Sequence, residues 1–301
     1  MTCTTPSSPL RVAFIQQACN LPSVADNLAV SEQAIRQAAD QGARLIILPE
    51  LHTGSYFCQV EATDCFDLAE PIPGPATARL GDLARALNAV IVGSLFERRA
   101  PGLYHNTAVV LDSDGTLAGI YRKMHIPDDP GYYEKFYFTP GDRGFTPIKT
   151  SVGTLGVLVC WDQWYPEAAR LMALAGAELL IYPTAIGWDP ASDEAEKQRQ
   201  LEAWITIQRG HAVANGLPVI ACNRIGHEPD PGQHSQGIQF WGNSFAAGPQ
   251  GEFMARASAA ETGTFVVDID RKRTEDVRRI WPFLRDRRIE EYGDISKRYR
   301  D

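Results

Sequence analysis

The stretch LGVLVCWDQWYPEAAR (155–170) sets a thiol, Cys160, at the end of an apolar run that reads as a buried strand, shortly before a helix opened by Pro166. A small apolar residue would pack there equally well, and free cysteine is itself a small hydrophobe. A thiol ahead of a helix start also feels the positive end of the helix dipole, which favours the nucleophilic thiolate. Residue type alone leaves both readings open. As a nucleophile, Cys160 would perform covalent catalysis and would need a base. No histidine stands in a Cys-His signature with it, so that base must be another residue. Three charges occupy comparable places. Glu50 closes the apolar run in LIILPEL, Lys123 ends a strand pattern in IYRKMHIP, and Glu134 lies in the aromatic, Gly/Pro-rich DDPGYYEKFYFTPG. Each, taken singly, is an ordinary solvated charge or cap, but strand C-termini in α/β folds are where ligands bind.

The elements that must position these residues alternate between strand and helix. Strand patterns cover Val12–Ala18, Leu45–Leu48, the run AVIVGSLFE, Gly153–Asp162 and Leu179–Tyr182. Helical patterns cover Asn27–Ala43, Ala76–Asn88, a segment from Pro166 and Ser192–Asn215. In the Pro166 helix Ala168, Leu171, Met172 and Ala175 follow the i, i+3, i+4, i+7 spacing. The turn DSDG (112–115) between two strand patterns predicts a hairpin within Tyr104–Lys123. LPVIACN, GNSFAAG and TFVVDID supply later strands. QGARLIILPE (41–50) and AGAELLIYPT (175–184) match in residue type almost position by position. This echo predicts two similar β-α-β halves whose sheets pack face to face with helices outside, an α/β class.

At 301 residues the chain can bury a large core, and 44% hydrophobic with 22% charged residues is ordinary for a globular protein. The net charge of −8 argues against nucleic-acid binding. That charge is uneven: residues 270–301 hold 11 Lys/Arg against 8 Asp/Glu, and residues 1–269 hold 18 against 29. The six cysteines form no CxxC pair, and without a signal peptide they read as reduced thiols in a cytoplasmic protein. No run approaches the about 18 apolar residues of a membrane span. The six histidines show no ligand spacing, so neither metal nor cofactor is expected. The polar MTCTTPSSP (1–9) reads as a disordered leader, residues 10–285 as one domain, and 286–301 as a C-terminal extension.

Taken in order, LIILPEL, YRKMHIP and LVCWDQWYPEAAR, followed by GNSF and GPQGE, resemble the nitrilase, or carbon–nitrogen hydrolase, superfamily over about residues 10–285. Three separated motifs in order are far more specific than any one charge. The resemblance implies a four-layer αββα sandwich of two mixed sheets. It implies Glu50 as general base, Cys160 as nucleophile, Lys123 as the cation facing the transition state and Glu134 as a second acid. The backbone N–H of Trp161 would join Lys123 in holding the oxyanion. Within the family, HIPDDPGYYEKFYFTPGD and TAIGWDP imply hydrolysis of N-carbamoylputrescine to putrescine, CO2 and ammonia through a cysteine thioester, in putrescine formation from agmatine.

Other amidases of the superfamily and nitrile hydrolysis are the nearest rivals. Family members acting on nitriles continue after CW with Glu-Asn, where this chain has Asp162-Gln163. A non-catalytic protein of the same fold, or a redox-sensing thiol, would need no such filled set of positions. Relatives acting on N-carbamoyl amino acids carry arginine just after the cysteine, and WDQWY has none. A pocket of Tyr56, Tyr132, Trp161, Trp164 and Trp188 with an acidic end suits a small cationic carbamoyl-amine. Asp189 is the expected ammonium partner, with Asp128 and Asp129 reading as a turn. The apolar residues within the charged C-terminal segment predict an arm at a homo-oligomer interface.

Overall fold

Leu10–Gln16 (β1), Leu45–Ile47 (β2) and Val90–Ala100 (β3) run parallel, joined through helices Val24–Asp40 (α1) and Pro75–Leu87 (α2) in a computed structural model that describes residues 8–300. Most of the expected leader, residues 1–7, lies outside the described residues. Leu103–Leu111 (β4) and Leu117–Arg122 (β5) continue the sheet antiparallel, forming the expected hairpin. The second half repeats the plan with Ile148–Thr150 (β6), Gly153–Val157 (β7), helix Pro166–Leu174 (α4), Leu179–Thr184 (β8), helix Glu194–Asn215 (α5) and Val219–Asn223 (β10). The one-turn helix Glu134–Tyr137 (α3) lies between the halves. Strands β7, β8 and β10 are parallel. Phe245–Ala247 (β13) and Phe253–Arg256 (β14) complete the second sheet. Gly263–Ile269 (β15) returns to pair with β1 before helix Arg271–Ile280 (α6). The sheet orders are β15-β1-β2-β3-β4-β5 and β14-β13-β10-β8-β7-β6.

Strand alternation explains the layers. Val12, Phe14, Leu45, Ile47, Val90 and Val92 point between the sheets, into one core with Val157, Leu179, Ile181 and Val219. Ala13, Ile15, Ile46, Leu48 and Ile91 point the other way, onto Leu28, Ile35, Leu80 and Leu83 of α1 and α2. Both faces of these strands are therefore apolar, as parallel strands under helices require. The Cys222 thiol of β10 reaches the Ile15 and Ile47 carbonyls of the first sheet at 3.1 and 3.4 Å, closing the four-layer αββα sandwich.

The sequence echo is an identical helix stop. Ala43 N–H reaches back to Ala38 O while Gly42 N–H reaches Ala39 O, and Ala177 with Gly176 make the same pair of bonds to Met172 and Ala173. Gly42 (φ +84°) and Gly176 (φ +94°) take the left-handed conformation that this stop needs.

Two features depart from expectation. The strand expected over 153–162 ends at Val157, and Cys160–Trp164 form a 3₁₀ turn. The reason is Cys160 itself, whose φ of +42° no extended strand accommodates. A third, small sheet of Gly187–Trp188 (β9), Ile225–Glu228 (β11) and Ile238–Trp241 (β12) stands beside the strand ends. Its strands, of two to four residues, are too short to show an alternating pattern.

Candidate active site

Glu50, Lys123, Glu134 and Cys160 come together at the strand ends between the two sheets, all buried. Lys123 is fully enclosed. Its ammonium donates to Glu50 Oε1 at 2.8 Å and to Glu134 Oε2 at 2.7 Å. Burial works against the Lys123 charge, and the Glu134 and Glu50 carboxylates more than offset it, so its pKa lies well above the ordinary lysine range. Burial pushes the Glu134 carboxyl up to about 7, against the pull of Lys123. Tyr56 OH donates to Glu134 Oε1 at 2.7 Å, and Asn106 Nδ2 to Glu50 Oε1 at 2.7 Å. Glu50 Oε2 is buried with no hydrogen-bond partner, so one carboxylate oxygen has its lone pairs free for an incoming proton.

Burial and the Glu50 charge raise the Cys160 thiol well above its usual range, with Lys123 opposing. The resting Cys160 side chain is therefore a neutral thiol, which would have to lose its proton to act as a nucleophile. Cys160 adopts a left-handed backbone, an uncommon conformation for a side-chain-bearing residue and one that clusters at functional sites. The turn that follows leaves the Trp161 N–H without an intrahelical acceptor.

Asp162 fixes this turn. Its Oδ2 accepts Val159 N–H at 3.0 Å and Tyr121 OH at 2.8 Å, and its Oδ1 accepts the His125 backbone N–H at 3.0 Å and faces His125 Nδ1 at 2.7 Å. One carboxylate thus ties the nucleophile turn to the segment just after Lys123. His125 also stacks on Tyr165 with ring centroids 3.7 Å apart.

The expected pocket residues divide into two groups. Tyr132 lies 5.5 Å from Tyr56, ring to ring, and its hydroxyl meets Gly187 N and O at 3.0 and 3.3 Å, which joins the Glu134 loop to β9. Trp188 donates its indole N–H to Lys197 O at 2.9 Å and packs against Trp241. Trp161 and Trp164 meet edge to face, and the Trp164 indole N–H is buried without a partner. Asp189 is exposed and accepts the Ala191 N–H at 2.9 Å, holding a turn. Asp128 and Asp129 are exposed in the expected turn, with Tyr132 N–H bonded to Asp129 O at 2.8 Å. Gln163 is fully buried, its side-chain oxygen facing Thr184 and its carbonyl facing His211. A side chain at position 163 therefore packs into the core.

This geometry combines a thiol, a carboxylate with a free oxygen, a shared cation and backbone donors in a closed site. Acyl transfer from a carbon–nitrogen bond needs that set. The carbon–nitrogen hydrolase family model matches residues 11–279. The chain belongs to the carbon–nitrogen hydrolases. It is 44% identical to the N-carbamoylputrescine amidase of Solanum lycopersicum over 283 residues, 93% of each chain. It is 40% identical to a citrullinase of Francisella tularensis, covering 96% of this chain and 99% of that one. A crystal structure of a carbon–nitrogen hydrolase from Helicobacter pylori G27 superposes with a TM-score of 0.94 at 54% identity, over 97% of this chain and 99% of that chain.

The residue-type reading of this hydrolase missed Asn106, Asp162 as a structural hub, and the buried pair Arg224 and Glu228. A weak signal existed for Asn106 and Arg224. HNT (105–107) interrupts the apolar strand LYHNTAVVL, and a charge follows directly on the buried strand in VIACNR. Polar residues in such strands mark either a site or its support.

Proposed function

We propose that this hydrolase cleaves N-carbamoylputrescine to putrescine, CO2 and ammonia. The observation carrying the proposal is the near full-length likeness to an enzyme of that substrate, joined to a site that holds every group the reaction requires. Cys160 Sγ attacks the carbamoyl carbon while Glu50, through its free Oε2, takes the thiol proton. The tetrahedral oxyanion forms against Lys123 and the Trp161 N–H. Glu50 returns the proton to departing ammonia, leaving a thioester-type carbamoyl group on sulfur. Glu50 then draws a proton from water as it adds to that carbon. Expulsion of the sulfur, which takes back the proton held by Glu50, frees a carbamic acid that breaks down to putrescine and CO2. Glu134 orients Lys123 and is itself oriented by Tyr56. No step requires a cofactor.

The aromatic wall of Tyr56, Tyr132 and Trp188, with Trp161 and Trp164 on the nucleophile turn, suits a four-carbon chain ending in an ammonium. Asp189, two residues beyond the Gly187 that Tyr132 holds, is the acid assigned to the ammonium. The direct test is ammonia release from N-carbamoylputrescine, citrulline and N-carbamoyl-β-alanine. All three share the ureido group, and the last two add a carboxylate. We expect kcat/KM for N-carbamoylputrescine to exceed the others by at least about 10²-fold, the scale on which an unpaired buried charge discriminates. Preference for N-carbamoyl-β-alanine, which has no ammonium, would overturn the cationic-tail reading and leave the reaction class intact, whereas preference for citrulline, which keeps the ammonium and adds a carboxylate, would overturn the substrate alone.

The same reading places the enzyme in the cytoplasm as a homo-oligomer. All five cysteines among the described residues are free, which suits a reducing compartment. No helix among those residues is long and apolar enough to cross a membrane. Beyond α6 the chain exposes Ile289 (69%), Ile295 (67%) and Tyr299 (83%), an apolar row that a second copy would cover. Removing residues 286–301 is expected to lower the mass measured by light scattering to that of a smaller assembly. An unchanged mass would place the interface elsewhere.

A further inference from the structure

Behind the site lies a second ion pair that touches no reacting atom. Arg224 follows β10, Glu228 ends β11, and strand alternation turns both to the same face across Gly226. Their side chains are 0% and 4% exposed, and they meet at 2.9 Å. Arg224 Nη2 donates to the Glu50 and Leu51 carbonyls, each at 2.8 Å, and Nη1 also reaches Gly54 O at 3.3 Å. Leu51 has a φ of +47°, so the backbone immediately after the general base is held in a left-handed conformation that a leucine does not choose freely. Glu228 uses its other oxygen, Oε2, to accept the Tyr56 N–H at 2.6 Å. Tyr56 is the residue whose hydroxyl donates to Glu134.

The segment 50–56 therefore begins with one carboxylate of the site, ends with the tyrosine that orients the other, and is fastened at both ends by one ion pair. We propose that Arg224 and Glu228 are positioning residues that set Glu50 and Glu134 jointly on either side of Lys123. Stability is a poor explanation for such a pair. Enclosing two charges costs about as much as their attraction returns, and apolar replacements of similar volume are often neutral or better. The planar fork of arginine, by contrast, is the side chain able to span two carbonyls and a carboxylate at once. Phe240 lies 5.2 Å from the guanidinium and restricts its plane.

The proposal rests on the roles assigned to Glu50 and Glu134, so its test reads Cys160 directly as well as turnover. The rate of Cys160 alkylation by iodoacetamide, resolved by peptide mass spectrometry, is independent of which substrate the enzyme uses. For Glu228→Gln and Arg224→Lys we expect kcat to fall about 10²-fold, the scale of a misplacement near 1 Å. KM should stay within about threefold, and Cys160 alkylation should slow about tenfold or more in the folded protein, on the same argument. Arg224→Met/Glu228→Met, which leaves no buried charge, serves where a single variant does not fold, and is expected to melt near the wild type yet show the same kinetic loss. Combining Glu228→Gln with Tyr56→Phe should cost less than the product of the separate losses, because both act on Glu134. Folded single or double variants that keep kcat and alkylation within about threefold of wild type would overturn the proposal and leave the pair a packing element. Failure of wild type to cleave N-carbamoylputrescine, with alkylation slowed in the variants, would overturn the substrate and leave the positioning role standing.

Discussion

Cys160→Ala is expected to abolish ammonia release, lowering kcat by at least about 10⁴-fold, while the protein stays folded. The size follows from how the site is built. In the proposed mechanism nucleophile and base act as a unit, so removing the sulfur would leave Glu50 with no thiol to deprotonate and Lys123 with no oxyanion to meet. Stability should change little, since the sulfur makes only one weak polar contact, 3.9 Å from the Ala185 carbonyl. The Asp162 bonds that hold the turn also do not involve the side chain at 160. Intact-mass measurement during turnover should show a 4-aminobutylcarbamoyl adduct on wild type and none on the variant. Turnover within about 100-fold of wild type would exclude Cys160 as the nucleophile.

Lys123→Met should have two separable effects. The activity loss is about 10²–10³-fold, the usual consequence of removing one donor from a developing oxyanion. The stability loss is about 3–5 kcal/mol, because the variant leaves two carboxylates buried without their shared cation. This second effect carries a sign with pH. Burial already raises the folded-state Glu134 carboxyl to about 7, and losing the ammonium that pulled it down raises it further. A carboxyl whose folded pKa exceeds its unfolded one is stabilising when protonated and destabilising as pH rises through the folded value. The deficit should therefore be smallest below about pH 7, where Glu134 is protonated in both folded proteins, and grow across the window above about pH 7, where it stays protonated only in the variant. Denaturant melts at the two ends of that window measure it. Lys123→Met/Glu134→Gln should regain stability at neutral pH without regaining activity. A deficit that grew on acidification would reverse the proposed charge assignment.

Much of the layer arrangement was legible because it is written in local pattern. Val12 and Phe14 against Ala13 and Ile15, and the matched stops at Gly42 and Gly176, are decided within a few residues of chain. The positions of Glu50, Lys123 and Cys160 were legible because each ends an apolar strand, where a charge or thiol is conspicuous. Their supports were not. Glu228 acts on Tyr56 across 172 residues of sequence, and Arg224 on Glu50 across 174, so nothing local links the members of either pair. The end of β7 was misplaced for a related reason. The apolar run continues through Val159, but tertiary demands at Cys160 override the strand pattern.

The pairing of β15 with β1 has a consequence for how the enzyme is made. Leu10 pairs with Ile269 and Gln16 with Gly263, so the first sheet borrows its edge from the far end of the chain, and an Arg11–Asp268 bridge at 2.8 Å spans the seam. On the ribosome, the β1-to-β5 half emerges early with one flank of β1 open. Until residue 269 is translated, that flank offers bare peptide groups to any neighbouring nascent chain. Every active molecule must therefore pass through an interval in which half its framework waits, unsealed, for the last strand to arrive.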